Sequence, residues 1–178
     1  MKKLLFPILV VLGFGVIIIL TLTKDNDAPT LLEVSDNEVN NYLAGLESND
    51  KLVTVLITED KLMCYALLKN DNTGELLKIT KTKDGYQSNK SSSWELTDEP
   101  ISILEIKSTS HHPSILLAGI VTQPSIESVS LLEENNTEVK FPLKGNNGFI
   151  QPVDESVIKV EAFDKQKKKL WDSGHLNK

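Results

Sequence analysis

The longest uncharged stretch of the sequence covers residues 4–23, close to the N-terminus. Its length matches the roughly 20 residues that a helix needs to cross the hydrocarbon core of a bilayer. The pair Lys2-Lys3 precedes the stretch, and charged residues resume at Lys24. Because flanking lysines are retained on the cytoplasmic side, we expect residues 1–23 to form a signal anchor with a cytoplasmic N-terminus. The protein is then a single-pass protein of the cell membrane, with its C-terminal part extracellular.

Two alternatives to a retained anchor follow from the same residues. A cleaved signal peptide has an apolar region of about 7 to 15 residues and a small-x-small cleavage site. The stretch here is longer and offers only residues 21–23 or Ala28 as a site. A buried helix of a soluble protein rarely runs this far with no polar residue beyond threonine. Lipid attachment is disfavoured because the sole cysteine, Cys64, is far from the N-terminus, and we favour the retained anchor.

The charged residues argue against several classes of partner. The chain has 25 acidic residues against 19 cationic ones, and every one of those cations is a lysine. Arginine is the side chain that best clamps phosphate groups and base edges, so an acidic chain without arginine is a poor candidate for binding nucleic acid. A single cysteine forms no internal disulfide, and residues 24–178 must therefore be held together by packing. This residue usage suits a Gram-positive bacterium.

One amphipathic helix is predicted between the anchor and the body. Residues 24–34 read as a linker, and Ser35 and Glu38 have the spacing of a capping box, in which each side chain bonds to the other's backbone amide. Val34 and Val39 stand at the two positions of a hydrophobic staple. The apolar stripe has the i, i+3, i+4, i+7 spacing of a buried helix face, and it comprises Val39, Tyr42, Leu43 and Leu46.

Short β-rich runs separated by turn residues fill the rest of the chain. The pair Asp84-Gly85 is typical of a two-residue hairpin turn, and Ser91-Ser92-Ser93 reads as a loop. In the run 138–143 apolar and polar residues alternate, and Pro142 favours an edge strand. The predicted strands are 52–58, 62–69, 76–82, 86–87, 94–96 and 101–107, followed by 115–121, 126–132, 138–143, 149–151, 157–163 and 170–172.

These elements predict a mainly β fold, α+β overall, in two parts. Residues 35–110 are expected to form a helix on an antiparallel sheet, because the helix stripe and the apolar face of the sheet each need cover. Residues 111–178 are expected to form a β-sandwich-like module, because their short strands recur about every 8 to 12 residues.

The second part resembles a known kind of module. The residues that carry the resemblance are Gly119-Ile120-Val121, Ile126-Glu127-Ser128-Val129, Gly148-Phe149-Ile150, Ala162-Phe163-Asp164 and Leu170-Trp171. Their order is similar to that of the C-terminal β-module of small uncharacterised exported proteins of Bacillus-like bacteria. The resemblance implies an immunoglobulin-like or transthyretin-like sandwich with no known chemistry, and it implies no functional residues. The closing turn of such modules carries a glycine after the aspartate, where this chain has Lys167.

The conspicuous polar residues do not form a recognisable catalytic or metal-binding pattern. His111-His112-Pro113, with Glu105 upstream and His175 remote, lacks zinc-ligand spacing and reads as a solvated loop. Cys64 lies in an apolar run and is expected to be buried and unreactive.

Four further segments are expected to be solvated turns or loops without chemistry. The serine run lacks the surroundings of a catalytic serine, and the acidic segment lacks the alternating ligands of a calcium loop. The glycine segment lacks the context of a phosphate loop, and the lysine cluster is more often solvated than bound to an anionic polymer. These segments are residues 91–93, 133–136, 145–148, and the cluster Lys165, Lys167, Lys168 and Lys169.

We therefore expect no catalytic residues, no metal and no cofactor. The favoured function is a non-enzymatic, membrane-anchored extracytoplasmic protein that binds an envelope partner, for which edge strands such as 138–143 are candidates. An alternative is a small-ligand-binding or sensor ectodomain with an apolar pocket near Tyr65 and Trp94, enclosed by the helix and the first sheet. A hydrolase using His111 or His112 is disfavoured, because no partner base or nucleophile stands at a recognisable spacing.

Overall fold

A computed structural model of the chain describes residues 29–46, 50–107, 115–143, 147–174 and 176. The predicted anchor, residues 4–23, lies outside the described residues and stays a prediction. Within the described ranges, no helix is long and apolar enough to cross a membrane. The described residues from Leu31 onward form one compact unit.

The described part of the chain is mainly β, as the sequence predicts. It contains one helix and eleven strands, and each strand pairing is antiparallel. The helix is α1 (Asp36–Ala44), and the strands are β1 (Lys51–Ile57), β2 (Met63–Lys69), β3 (Thr73–Thr82), β4 (Gly85–Glu95), β5 (Ile101–Lys107), β6 (Ile115–Val121), β7 (Ser128–Glu133), β8 (Glu138–Pro142), β9 (Gly148–Val153), β10 (Val157–Phe163) and β11 (Lys169–Asp172).

The strands form three sheets, which stack with the helix in four layers. Sheet A has the strand order β1-β2-β3-β4, sheet B the order β5-β6-β9, and sheet C the order β11-β10-β7-β8. Sheets A and B share one apolar core, and sheets B and C share a second. The helix α1 packs on the other face of sheet A. Sheet B is therefore covered on both faces, and sheet C is an outermost layer.

The strand β6 is apolar throughout because both of its faces are buried. Leu116 and Ile120 belong to the core shared with sheet A, whereas Leu117 and Val121 belong to the core shared with sheet C. A strand covered on both faces reads as a continuous apolar run rather than an alternating one. The strand β2 is buried in the same way, between α1 and sheet B.

The helix packs as its apolar stripe predicts, but its N-terminal cap differs from the prediction. Val34 and Val39, the predicted staple, are both buried in the core between α1 and sheet A. Ser35 is the N-cap residue, yet its hydroxyl donates to Glu38 Oε2 at 2.9 Å and makes no bond to a backbone amide. The prediction of a capping box with reciprocal backbone bonds is therefore wrong. The Glu38 carboxylate instead accepts hydrogen bonds from side chains.

The Glu38 carboxylate joins the helix to sheet A. Lys81 Nζ donates to Glu38 Oε1 at 2.8 Å, and Tyr86 Oη donates to Oε2 at 3.1 Å. These bonds, with that from Ser35, lower the pKa of Glu38, and the one from Lys81 contributes most. The Tyr86 ring stacks on Tyr42 of the helix at 5.3 Å between ring centroids. The orientation of α1 on the sheet is thus fixed by polar contacts at its edge as well as by its apolar stripe.

Two glycines are directly opposite aromatic residues in neighbouring strands. Gly74 of β3 pairs with Trp94 of β4, and Gly119 of β6 pairs with Phe149 of β9. In each pair the aromatic ring occupies the space that a Cβ atom on the glycine would fill. A ring lying over a glycine covers backbone that would otherwise be unpacked. The close approach of sheets A, B and C therefore depends on the absence of these two side chains.

Replacing Gly74 with alanine is expected to destabilise the protein by about 1 to 3 kcal/mol, the usual cost of overpacking a core. The added Cβ would lie 2.6 Å from Trp94 Cζ2 and 2.8 Å from Ile120 Cδ1. Thermal unfolding of the full-length protein, followed by circular dichroism, measures the effect.

The matched control is Gly45→Ala at the C-terminal end of α1, where φ is −85° and the nearest atom to an added Cβ lies at 3.4 Å. This variant should unfold at the wild-type temperature or slightly above it. Equal stability of the Gly74→Ala and wild-type proteins would contradict the packing described here.

Two features of the sheets differ from or add to the sequence predictions. Ser91-Ser92-Ser93 lies inside β4 and not in a loop. Pairing with β3 keeps Ser92 and Ser93 in the strand, and Ser91 lies at the bulge where the register shifts. The strand β5 pairs with β6, so a single sheet joins the predicted segments 35–110 and 111–178.

Candidate binding surfaces

The solvent face of sheet C carries a groove whose floor is formed by three strands. Ser128 of β7 is paired with Pro142 of β8 on one side and with Phe163 of β10 on the other. A small side chain between two ring-bearing neighbours leaves a depression. The groove has a volume of about 450 Å³. It is lined by Ser128, Lys140, Phe141, Pro142, Phe163 and Lys167.

The turn between β10 and β11 places Lys167 at the groove. The Asp164 carboxylate accepts hydrogen bonds from the backbone amides of Gln166 at 2.9 Å and Lys168 at 2.8 Å. This tight turn leaves Lys167 with φ of +64°, in the left-handed region that favours glycine. A glycine would adopt this backbone without strain, and the chain instead holds a lysine there.

The lysines near the groove differ in their pairing. Lys169 of β11 contacts both Glu161 and Asp172 at 3.1 Å, and Lys140 of β8 contacts Glu138 at 2.8 Å. Among the described residues, no carboxylate lies within 4.0 Å of the exposed amines of Lys165, Lys167 and Lys168.

The predicted lysine cluster is therefore divided between one paired and three solvated amines. Only one of the three, Lys167, lines the groove.

The carboxylates of this face are stabilised in their ionised form by the lysines. Lys159 Nζ donates to Glu161 Oε1 at 2.6 Å, and this bond is the main cause of the lowered pKa of Glu161. The bond from Lys169 is the main cause of the lowered pKa of Asp172. Such exposed pairs contribute little to stability.

The strand β8 is an edge strand, as its proline predicts, and its free edge is a poor template for another strand. Leu143 N donates to Glu127 O, so alternate residues of β8 turn their amides toward β7. The free edge then presents the amides of Glu138 and Lys140, and Pro142 has no amide to present. A proline and a lysine on an edge are features that discourage strand addition.

The strand β4 is the longer free edge, with Gly85–Glu95 lying at one side of sheet A. Its eleven residues include no proline. Leu96 N donates to Asn72 O at 2.8 Å, which in an alternating ladder turns the amides of Ser93 and Glu95 away from β3. This edge therefore presents backbone donors and acceptors that no described strand uses.

Cys64 is buried, as the sequence predicts, on the face of β2 that packs against α1. Burial, together with a smaller contribution from the nearby Asp36 carboxylate, raises the pKa of its thiol to about 12. At neutral pH the thiolate, which is the reactive form, is almost unpopulated.

A maleimide is therefore expected to label native full-length protein much more slowly at Cys64 than urea-unfolded protein, because both access and thiolate are lacking. Mass spectrometry over time measures the rates. A Glu134→Cys variant supplies an exposed thiol at the β7–β8 turn as the positive control. Rapid labelling of wild-type protein under native conditions would contradict the burial.

Other residues singled out by the sequence are distributed over the fold without forming a site. His111, His112, Pro113, His175 and Gly145 lie outside the described residues. Their proposed neighbour Glu105 accepts hydrogen bonds from Ser156 Oγ and Val157 N, both at 3.1 Å, and so joins β5 to the β9–β10 connection. Among the described residues no three histidine, cysteine or acidic side chains are grouped to hold a metal ion.

Two polar segments are placed differently from their predictions. Residues 134–137 do form the connection between β7 and β8, but Glu133 is the last residue of β7 and only 2% exposed, so its predicted solvation is wrong. Gly148 lies in β9, where an added Cβ would contact the carbonyl of Gly119. Its role is close packing of strands.

The predicted pocket near Tyr65 and Trp94 is wrong in its geometry. Both side chains face sheet B, whereas α1 covers the opposite face of sheet A. They fill the core between the two sheets, and the Trp94 ring lies over Gly74. Its indole N–H is buried without an acceptor among the described residues. Sequence reasoning instead missed the groove on sheet C, for which Phe141-Pro142 on an edge strand was the available signal.

Comparison with known proteins adds no relative: no family model, no curated protein and no solved structure matches the chain.

Proposed function

We propose that the chain is a non-enzymatic, membrane-anchored extracytoplasmic protein whose β-rich body binds an envelope partner. Residues 4–23 are the proposed anchor, because their length and lack of charge suit a bilayer. The core shared by sheets B and C supports a sandwich of the immunoglobulin-like or transthyretin-like kind.

The observation that carries the proposal is the free edge of β4. Natural sheets usually protect a long edge with a proline, a charged side chain, a β-bulge, a short strand or a covering element. Both β8 and β9 contain a proline, whereas β4 has none, and its protection is confined to Lys90 and the adjacent bulge at Ser91. Residues 92–95 lie beyond the bulge and form the unprotected part of the edge. An extended segment of a partner that pairs with this edge would gain main-chain hydrogen bonds without disturbing the core.

The proposed placement predicts the outcome of protease treatment of intact cells. A protease added from outside should remove a C-terminal epitope tag from the full-length chain, because the body is extracellular. A cytosolic marker protein should stay intact in the same cells, and sequencing of the N-terminus would distinguish a retained anchor from a cleaved signal peptide. Recovery of an uncut chain in the cytosolic fraction would refute the placement.

The proposed interaction edge predicts the effect of a proline at Ser93. A photoreactive amino acid at the exposed Asn89 should form a discrete adduct with a partner in intact cells. Ser93→Pro should abolish the adduct, because it removes an outward amide and interrupts strand pairing. Adduct formation is measured by the mobility of the tagged chain on a denaturing gel.

The matched control is Ser93→Ala, which retains the amide and should retain the adduct. Both variants should unfold near the wild-type temperature, because Ser93 is exposed and its amide makes no bond to β3. An adduct that survives Ser93→Pro, or no adduct at all from Asn89, would count against β4 as the partner-binding edge.

The groove on sheet C favours a second candidate function, that of a small-ligand-binding or sensor ectodomain. Its volume of about 450 Å³ lies within the range of roughly 300 to 1,000 Å³ that is usual for ligand sites. Its apolar walls and few polar groups are also usual for such sites.

A further inference from the structure

We infer that the groove on sheet C binds a small amphipathic anion, namely an apolar chain or ring that carries a single carboxylate. This inference rests on the second candidate function, ligand binding by the ectodomain, and assigns the chemical class of the ligand. It is independent of strand addition at β4, which lies in a different sheet.

The apolar part of the ligand would lie between the rings of the groove. Pro142 and Phe163 flank Ser128 in the register of sheet C and form the two walls. The neighbouring Phe141 ring points to the buried face, where it contacts Phe149 edge-to-face with 5.2 Å between ring centroids and packs against the core of sheets B and C. This packing anchors β8 and the Pro142 wall before binding, which reduces the entropy that a ligand must offset.

The charged part of the ligand would meet Lys167. The other rim amine, Lys140, already contacts Glu138, so Lys167 is the amine that is available to an anion. The formal charge of the whole chain is −6. On such an acidic protein, the unpaired amine of Lys167 beside apolar rings gives the groove a local positive charge. Charge complementarity therefore selects a ligand with one negative group, and it selects against a cationic one.

The backbone at Lys167 supports a role for its amine. A glycine would adopt φ of +64° without strain, whereas a lysine does not. Strained residues persist where the surroundings impose them, and they concentrate at binding sites. The turn itself is closed by the Asp164 carboxylate and not by the Lys167 side chain. The Lys167 amine is therefore not required for the turn. Replacing Lys167 with glycine would keep the turn and remove the amine from the groove.

The edge of β8 argues against an extended peptide as the occupant. A peptide adding to this edge would need a backbone donor at each outward position, and Pro142 lacks one at the groove itself. Phosphate groups are disfavoured as well, because the groove offers one unpaired lysine and no arginine. A monocarboxylate with an apolar body fits both the walls and the single amine.

The test uses the full-length chain in phosphatidylcholine nanodiscs, titrated with octanoate and followed by amide NMR. Octylammonium, which has the same chain length and the opposite charge, is the ligand control, and nanodiscs without protein correct for partitioning into lipid. Octanoate should shift the amides of Ser128, Phe163 and Lys167 in a saturable manner. Octylammonium should bind at least threefold more weakly.

The decisive variant is Lys167→Gly, matched by Lys165→Gly in the same turn. Lys167→Gly should weaken octanoate binding at least threefold and should not lower the unfolding temperature, because it relieves the left-handed strain. Lys165 is exposed and does not line the groove, so Lys165→Gly should leave octanoate binding unchanged. A third variant, Ser128→Leu, fills the depression and should abolish the saturable shifts.

Equal binding of octanoate and octylammonium would overturn the inference, as would octanoate binding that is unaffected by Lys167→Gly. Shifts spread over all exposed lysines, with no saturation, would overturn it too. These results leave the photoadduct from β4 untouched, so failure of the ligand assignment is distinguishable from failure of the proposed interaction function. Saturable octanoate binding that is lost in Ser128→Leu and weakened in Lys167→Gly would establish the groove as a carboxylate site.

Discussion

Burial of sheet B on both faces is the constraint on which the rest of this structure depends. Each fully buried leucine or isoleucine contributes roughly 1.5 to 3 kcal/mol relative to its exposed state. The strand β6 directs such side chains into two cores at once, with Leu116 toward sheet A and Leu117 toward sheet C. Sheets A and C do not need to contact each other, because sheet B supplies an apolar surface to both. The pairs Gly74–Trp94 and Gly119–Phe149 then set how closely the layers approach.

The position of a layer in this stack decides which residues are available for binding. Sheet A is covered by α1 on one face and by sheet B on the other. The backbone N–H and C=O groups that remain available for binding are therefore at its edges. Sheet C has one buried face, and its other face carries charged pairs and the groove. The two proposed binding surfaces are therefore of different kinds, a backbone edge in sheet A and a side-chain depression in sheet C.

Electrostatics separates the lysines of this acidic protein into two groups. Lys81 and Lys159 stabilise carboxylates beside them, and the pKa values of Glu38 and Glu161 are lowered as a result. Lys167 has no such partner among the described residues and holds a backbone conformation that favours glycine. Lys61 also has a positive φ, of 55°, but it does not line the groove. The feature that points to binding at Lys167 is therefore the position of its unpaired amine beside the apolar walls.

The sequence by itself determined most of the strand positions, the helix stripe and the edge position of β8, because these depend on local alternation, on spacing along one helix face and on the missing amide of Pro142. The burial of β2 and β6 on both faces was decided by the stacking of the sheets. Tertiary structure alone decided that Ser91-Ser92-Ser93 continues a strand, since pairing with β3 outweighs the weak preferences of serine.

The groove likewise arises only from tertiary structure. Ser128, Pro142 and Phe163 are distant in the sequence and meet through the register of three strands. A local pattern specifies which way a side chain points within its own strand. The neighbour beside that side chain is fixed by pairing between strands, and pairing depends on the burial of the whole sheet.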